Sequence, residues 1–443
     1  MTETMATELA PVTGKARIDV LDILRGIAIL GIFFMNIPFM GAKVVVAVGN
    51  VPAMGWTLAD QASWNAVQVM LEGTQRGLLE LLFGAGLMVM AKRAMVPDGP
   101  VAVADLYTRR NLWLLAFGLF DIFILLWAGD ILHIYALAAL FLFPFRKLGP
   151  KLLIALGLLY CAYTVVSGGI RYAERTELMQ RGEAALAKQA AKAPLTAAEK
   201  KAATEWQNAV DRRQGRNEEL REYAKQEAKG HAGGFVDYVQ FNIATYVYFV
   251  FASLVDYVAE AFCMMLIGIA LWKWGVIQGE RSARFYLILM LACYVPALPL
   301  RWLAAQDILP YMPIPRLGWI TQEPARILAS IGHLALINLA VKTGAGRLIL
   351  APFKAAGRTA FSLYFIQQIV GLWVLFAPWG PGLWGKLSWG GLYSVAVAVI
   401  VGELILANLW LLAFSNGPFE WIWRSLAYVH RQPFRNKAAV TTA

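Results

Sequence analysis

The chain has 443 residues, 59% of them hydrophobic and 16% charged, with a mean hydropathy of +0.54. Those values exclude an ordinary soluble domain, and the lack of short alternating segments excludes a membrane β-barrel. The net charge of +11 does not imply nucleic acid, because the basic residues gather in short links beside apolar runs, as the positive-inside rule requires.

Backbone groups in lipid must be satisfied internally, so the long apolar runs read as helices. The expected fold is all-α: a polytopic integral membrane protein of about ten transmembrane helices with both termini cytoplasmic. Residues 1–18 form a polar tail. The run 19–41 is too long for a signal-peptide core and lacks a small-residue cleavage site, so it reads as an uncleaved first span. It carries Asp22 and Arg25, three apart and able to pair, and Asn36 eleven residues after Arg25. Eleven residues make close to three turns, which puts Arg25 and Asn36 on one stripe from end to end.

The second span, 62–91, places Glu72, Arg76 and Glu80 at i, i+4 and i+8, a ladder in which Arg76 can bridge two carboxylates. It is either an interhelical ion-pair ladder or part of a site. Gly84 and Gly86 of "LLFGAGL" allow close helix approach. Span three, 111–128, holds Asp121. A tight turn leads to span four, 130–147, where Asp130 can cap the helix and orient His133 as a general base. The alternative for His133 is a hydrogen-bonded structural histidine.

Span five, 151–170, is followed by 171–235, rich in Ala, Glu, Lys and Arg and divided by Pro194. This piece reads as an extracytoplasmic charged helical hairpin, with a capping box of Thr196 and Glu199 starting its second helix. It is either a solvated element or a partner-binding one. Residues 237–249 are aromatic and semi-polar and suit an interfacial segment. Spans six to ten follow at 250–274, 284–303, 323–342, 357–378 and 391–414, then a basic tail over 415–443. The domains are therefore a tail (1–18), spans one to five (19–170), the hairpin (171–235), interfacial segment plus spans six to ten (236–414), and the cytoplasmic tail (415–443). Lys92, Arg93, Arg109, Arg110, Lys147, Lys151, Arg281, Arg347, Lys354, Arg424, Arg431, Arg435 and Lys437 all fall on the cytoplasmic side of this scheme.

Ionisable groups inside a membrane are costly and point to function. Span six adds Asp256 and Glu260, and span eight Glu323, Arg326 and His333. The topology puts Asn36, Glu72, Arg76, Asp130, His133, Asp256, Glu323 and Arg326 in the external half, where they suggest a water-filled cavity. Cys161, Cys263 and Cys293 lie in apolar runs without paired spacing and read as packing residues. No metal site is expected, and the lack of a Walker loop or GxGxxG argues against ATP-driven transport by this chain alone.

The segments "IDVLDILRGIAILGIFFMNI", "LLFGAGL", "GDILHIYAL" and, over residues 357–435, "GRTAFSLYFIQQIVG…GPFEWIWRSLAYVHRQPFR" resemble the YeiB-like family of bacterial inner-membrane proteins and its C-terminal domain of unknown function. The resemblance implies a multi-pass protein of the bacterial inner membrane. "LDxLRGIAxL" is more distantly similar to the opening of transmembrane acyltransferases, which move an acyl group, often from cytoplasmic acyl-CoA, to an acceptor on the far side. In the branch that acylates surface polysaccharides, a catalytic histidine follows the arginine by eleven residues; here that position is Asn36. In the heparan-type branch an Asn stands there and the active histidine lies in the next loop, which here has none.

In an acyl-transfer reading Arg25 holds a phosphate-bearing donor, Asn36 bonds the acyl carbonyl or the acceptor, and the base is either His133 with Asp130 or a carboxylate such as Glu72; Asp22, Arg25, Glu72, Arg76, Glu323 and Arg326 are the candidate substrate contacts. No cofactor is expected to be bound. Acyl-CoA is the donor substrate, a glycan or lipid headgroup the acceptor, and the lipid bilayer the surroundings. Two other readings stay open: an ion- or proton-coupled transporter of a small solute, and a scaffold whose 171–235 segment binds a protein partner.

Overall fold

The structure, a computed structural model, describes residues 18–91 and 101–436. The N-terminal tail to residue 17, Lys92 and Arg93 of the link after the second expected span, and Lys437 lie outside the described residues. Among the described residues the chain is helical with no strand, apart from an isolated bridge between Phe414 and Arg435.

Helix α1, Asp19–Gly41, leads into the short α2, Val44–Gly49. A capping box of Thr57 and Asp60 starts α3, Leu58–Ala66, which runs into a π-helical turn, Val67–Leu71. The chain turns at Gly73, with φ near +68°, before α4, Thr74–Ala91. Next come α5, Val101–Phe123, and α6, Leu132–Leu140. Helices α7, Pro150–Gly157, and α8, Leu159–Ala190, make one long rod. The expected capping box at Thr196 and Glu199 opens α9, Ala197–Arg213; α10, Glu218–Ala232, follows. Helix α11, Phe235–Thr245, continues through a π turn at Tyr246–Val250 into α12, Leu254–Lys273. The rest is α13, Ala283–Gln306, α14, Gly318–Val341, α15, Gly344–Arg358, α16, Ala360–Gln368, α17, Trp389–Ala413, and α18, Pro418–Ala427.

Six segments are long and apolar enough to cross a membrane: Asp19–Gly41, Pro150–Ala190, Phe235–Lys273, Ala283–Gln306, Gly318–Val341 and Trp389–Ala413. The chain is thus a multi-pass membrane protein. The apolar cores of the first, third and fifth are 56–61% buried and those of the others 17%, so the former make the interior and the latter the rim.

The remaining expected spans are interrupted or shifted. Residues 62–91 break at Glu72–Gly73; 130–147 hold the nine-residue α6 and a 3₁₀ turn; 357–378 pass from α16 into a π turn at Ile369–Leu375. The third span starts early, because Arg109 lies inside α5 and pairs with Asp105 at 2.8 Å. Residues 171–235 hold three helical stretches, since α8 crosses residue 170 without a break.

Helix α1 is the axis, packed on α4, α15, α16 and α17. Its closest approach is to α15: a Cβ on Gly357 would overlap the Asp22 carbonyl, and one on Gly26 the Phe353 carbonyl. Gly84 fits likewise against the backbone of α12, whereas Gly86 has nothing near it and opens to a cavity. Gly357→Ala is therefore expected to cost about 2–3 kcal/mol, through forced separation of two helix backbones. Thermal unfolding of detergent-solubilised protein checks this, with Gly86→Ala expected to leave the midpoint essentially unchanged.

Candidate functional site

The most connected polar group of the interior is Arg326 on α14, whose side chain is 4% exposed. Its guanidinium takes Glu323 through Nε and Nη2 at 2.8 Å each, Glu80 of α4 at 2.8 Å, and Glu260 of α12 at 2.9 Å. Arg76 completes the network, 2.5 Å from Glu260 and 3.7 Å from Glu80. The expected ladder through Glu72 does not form as such, because the helix ends at Leu71 and restarts at Thr74. Asp256 is exposed and outside this group, one face of α12 pointing outward there.

Arg301, which the sequence reading passed over, holds the helix break. It donates to the carbonyls of Val69 at 2.5 Å, Gln68 at 2.8 Å and Glu72 at 2.5 Å, supplying the partners that the interrupted turn lacks. The signal was an arginine in an apolar run after Pro296 and Pro299. His333 is likewise structural: it bonds the Tyr294 hydroxyl and the Met70 carbonyl, each at 2.6 Å.

A second polar group lies at the start of α6. One Asp130 oxygen accepts from the His133 backbone N–H and faces its Nδ1, both at 2.8 Å, so Asp130 both caps and orients. The other accepts from the Tyr364 hydroxyl at 3.2 Å. With Nδ1–H given to the carboxylate, Nε2 carries the lone pair, and it has no hydrogen-bond partner among the described residues. Asp121, fully buried, faces Asp130 and Tyr364. Tyr364 carried no sequence signal, since a tyrosine in an apolar span is ordinary.

Two cavities flank this group. One, of about 700 Å³, lies at the N-terminal end of α1 and is lined by Asp22, Arg25, Arg110, Arg358 and Arg424 among apolar side chains. Asp22 and Arg25 pair at 3.1 Å, as expected. The other, of about 670 Å³, lies at the opposite end of α1 and takes in Asn36, Glu72, Arg76 and Asp130. Glu323 and Arg326 stand behind it in the ion network, and His133, buried behind Asp130, lines neither cavity. Residues 130–135 form the wall between them: Asp130, Ile131 and Ile134 face one, Ile131, Leu132 and Tyr135 the other.

The charged segment roofs the second cavity. Arg213 donates to the carbonyls of Val48 at 3.0 Å, Ile308 at 2.5 Å and Pro310 at 3.1 Å. On α10, Glu227 accepts from the Val44 N–H at 2.8 Å, and His231 stacks on Trp384 at 4.1 Å. Burial pushes the Glu227 carboxyl up to about 7, against the pull of Val44 N–H and Lys43. Burial pushes the His231 imidazole down to about 4, so it docks neutral.

A family model described as a protein of unknown function, DUF418, matches residues 271–430, beginning well before residue 357. Over nearly all its length the chain is similar to curated bacterial proteins. The uncharacterized protein YxaH of Bacillus subtilis is 28% identical, with 98% of this chain and 100% of that protein aligned. An uncharacterized 39.9 kDa protein in the amylase 3′ region of Bacillus acidopullulyticus is 22% identical over 96% of this chain and 97% of its own. The uncharacterized protein YeiB of Escherichia coli is 24% identical over 92% of this chain and 95% of its own. No solved structure matches.

Two outcomes follow from the geometry. Arg326→Ala leaves three carboxylates without their common partner and is expected to cost about 3–5 kcal/mol, read as a lowered thermal midpoint, with Arg326→Lys recovering only part. The docked Glu227 holds its proton more tightly than the free carboxyl, so docking of α10 is strongest below the ordinary carboxylate value of 4.5 and weakens as pH rises through about 7. A spin-label pair between α10 and residues 379–388 should lengthen over that range, and Glu227→Gln should remove the dependence.

Proposed function

Taking the chain as a YeiB-like membrane protein, we propose that it transfers an acyl group across the bacterial inner membrane. A phosphate-bearing donor occupies the basic cavity, and a sugar or lipid hydroxyl occupies the roofed one. The observation that carries this reading is the shared wall: residues 130–135, which carry a buried histidine oriented by a buried carboxylate, divide two cavities at opposite ends of α1. The positive-inside rule puts the arginine-lined end in the cytoplasm, with both termini there, about ten crossing segments, and the roof outside.

In this reading Arg25 binds donor phosphate as a planar fork. Once the wall at residues 130–135 opens enough to expose the buried His133, the acceptor hydroxyl gives its proton to Nε2, and its oxygen attacks the acyl carbonyl carbon. The bond from that carbon to the donor sulfur or oxygen breaks, and the leaving group takes the proton from His133. Asp130 keeps Nδ1 protonated and the ring fixed. The Asn36 amide donates to the carbonyl oxygen as it gains charge. Glu72 and Arg76 bind the acceptor, with Glu323 and Arg326 holding Arg76 in place.

The interrupted helices favour a second reading, proton-coupled transport of a small solute, because broken spans beside buried ion pairs also line substrate paths. Membrane vesicles given labelled acetyl-CoA on the cytoplasmic face decide between them. Label should reach a glycan or lipid fraction, and His133→Ala should slow its appearance by about 100-fold or more in protein that still unfolds cooperatively. Undiminished labelling in His133→Ala sinks the catalytic assignment. Proton-driven solute flux that survives His133→Ala and is lost in Glu80→Gln would favour transport.

A further inference from the structure

We infer that an arginine cluster on the roofed side of the bundle binds the phosphate of an anionic lipid. Five guanidinium groups meet around the 308–317 link: Arg171 and Arg175 of α8, Arg212 and Arg213 at the end of α9, and Arg316 of the link itself. Among the described residues none of the five pairs with a carboxylate. The acids beside them are engaged elsewhere. Asp307 accepts from the Leu317 N–H at 2.6 Å and the Gly318 N–H at 3.3 Å, Asp211 pairs with Arg216 at 2.6 Å, and Glu177 pairs with Arg181 at 2.5 Å. Glu174, exposed between Arg171 and Arg175 in sequence, makes no ion pair with either.

Packing brings these charges together. A Cβ on Gly168 would overlap the Trp319 carbonyl, so α8 lies hard against the start of α14. One turn on, Arg171 stacks over the Trp319 ring at 4.3 Å, and Arg175 follows after a further turn. Arg316 stands one turn before Trp319, whose N–H donates to the Arg316 carbonyl at 3.2 Å. Arg213 fastens the end of α9 to the same link through the Ile308 and Pro310 carbonyls, and Gln214 and Tyr311 exchange hydrogen bonds at 3.1 and 2.8 Å. Burial and the charges of Arg213 and Arg171 push the Arg316 guanidinium down to about 10, the direction expected where like charges are held close. Holding them there costs free energy that an anion returns. Arg213 spends its donors on carbonyls and contributes charge. Arg171 stacks by its face, which leaves its edge for the in-plane oxygens of a phosphate.

Depth identifies the ligand. Arg171 is the first charged residue after the uncharged stretch 152–170 of a rim segment, on which Val166 and Ile170 are exposed. It therefore stands where an apolar span ends and lipid phosphates lie, with Tyr172, Tyr311 and Trp319 as interfacial aromatics. The positive-inside rule disfavours an arginine in a short external link, and Arg316 sits in one, between α13 and α14. Arg212, Arg213 and Tyr311 also line the roofed cavity, which puts the bound phosphate at that cavity's margin. In that respect the inference rests on the acyl-transfer reading, whose acceptor it makes a lipid headgroup rather than a free glycan; binding itself requires no transfer.

The test is titration of the full-length protein, in a non-ionic detergent, with dioctanoyl phosphatidic acid, alongside dioctanoyl phosphatidylcholine, dioctanoylglycerol and glycerol 3-phosphate. Phosphatidic acid should bind about tenfold or more tightly than each of the others. Arg175→Gln combined with Arg316→Gln should weaken that binding about tenfold or more in protein that still unfolds cooperatively. Arg181→Gln, on the same helix but paired with Glu177, should not. If the double variant does not fold, Arg171→Gln, at an exposed position, is read in its place. Phosphatidylcholine or dioctanoylglycerol binding as tightly as phosphatidic acid reduces the site to an apolar contact and overturns it. Glycerol 3-phosphate binding as tightly overturns the lipid assignment, and full affinity in the variants overturns the arginine cluster. Phosphatidic acid bound as expected, with no label reaching lipid or glycan in the vesicle assay, sinks the acyl-transfer reading and leaves the site standing. Label transfer without phosphatidic acid binding does the reverse.

Discussion

Arg326 is the constraint around which the interior is arranged. One guanidinium, almost wholly out of solvent, satisfies carboxylates from α4, α12 and α14. A buried charge is tolerable only when paired and fully hydrogen-bonded, and Arg326 meets that condition only if the three helices keep their registers. Their positions along one another are thereby set more sharply than apolar packing in lipid sets them, since side chains lose little by exchanging helix for lipid contacts. Gly73 belongs to the same constraint: a side chain there would press on the aliphatic part of Arg326.

The helix break beside Arg326 decides what the site can present. Had α3 and α4 been continuous, Glu72 and Arg76 would share a face and neutralise each other. Instead the chain turns at Gly73, Arg301 satisfies the loose carbonyls, and Glu72 and Arg76 both line the roofed cavity, with Arg76 bound to Glu260. Irregular backbone at this depth is stable because it is enclosed by protein and supplied with a donor. Tyr246–Val250 and Ile369–Leu375 are π turns too, and Val250 and Leu372 line the same roofed cavity. The irregularities thus gather around one space.

The two cavities differ in how they are closed. The basic one is walled by transmembrane helices and by α18, whose Trp423 and Arg424 face it. The roofed one depends on a polar segment far away in sequence, attached through backbone carbonyls, one carboxylate and one ring stack. Most of these contacts are made by polar groups at the edge of the bundle, with only Glu227 buried among them.

Class, helicity and the rim helices were legible from composition and hydropathy, because lipid imposes its requirement on each segment separately. The Asp22–Arg25 pair, the Asp130–His133 contact and the Thr196–Glu199 cap were legible too, since a helix fixes neighbours three residues apart by itself. Arg326 with Glu323 was readable for the same reason. Its union with Glu80 and Glu260 was not: that pairing joins residues 246 positions apart in one case, and nothing local encodes which helices adjoin. Hydropathy also suggested continuous spans where α4, α6 and α16 are short or broken, because an apolar stretch scores alike whether its backbone is regular or bent. The meeting of four arginines, the Tyr364 contact and the roof over Asn36 and Glu72 were decided only by tertiary packing. A single sequence records the period of each helix but not the rotation and depth at which one helix faces the next.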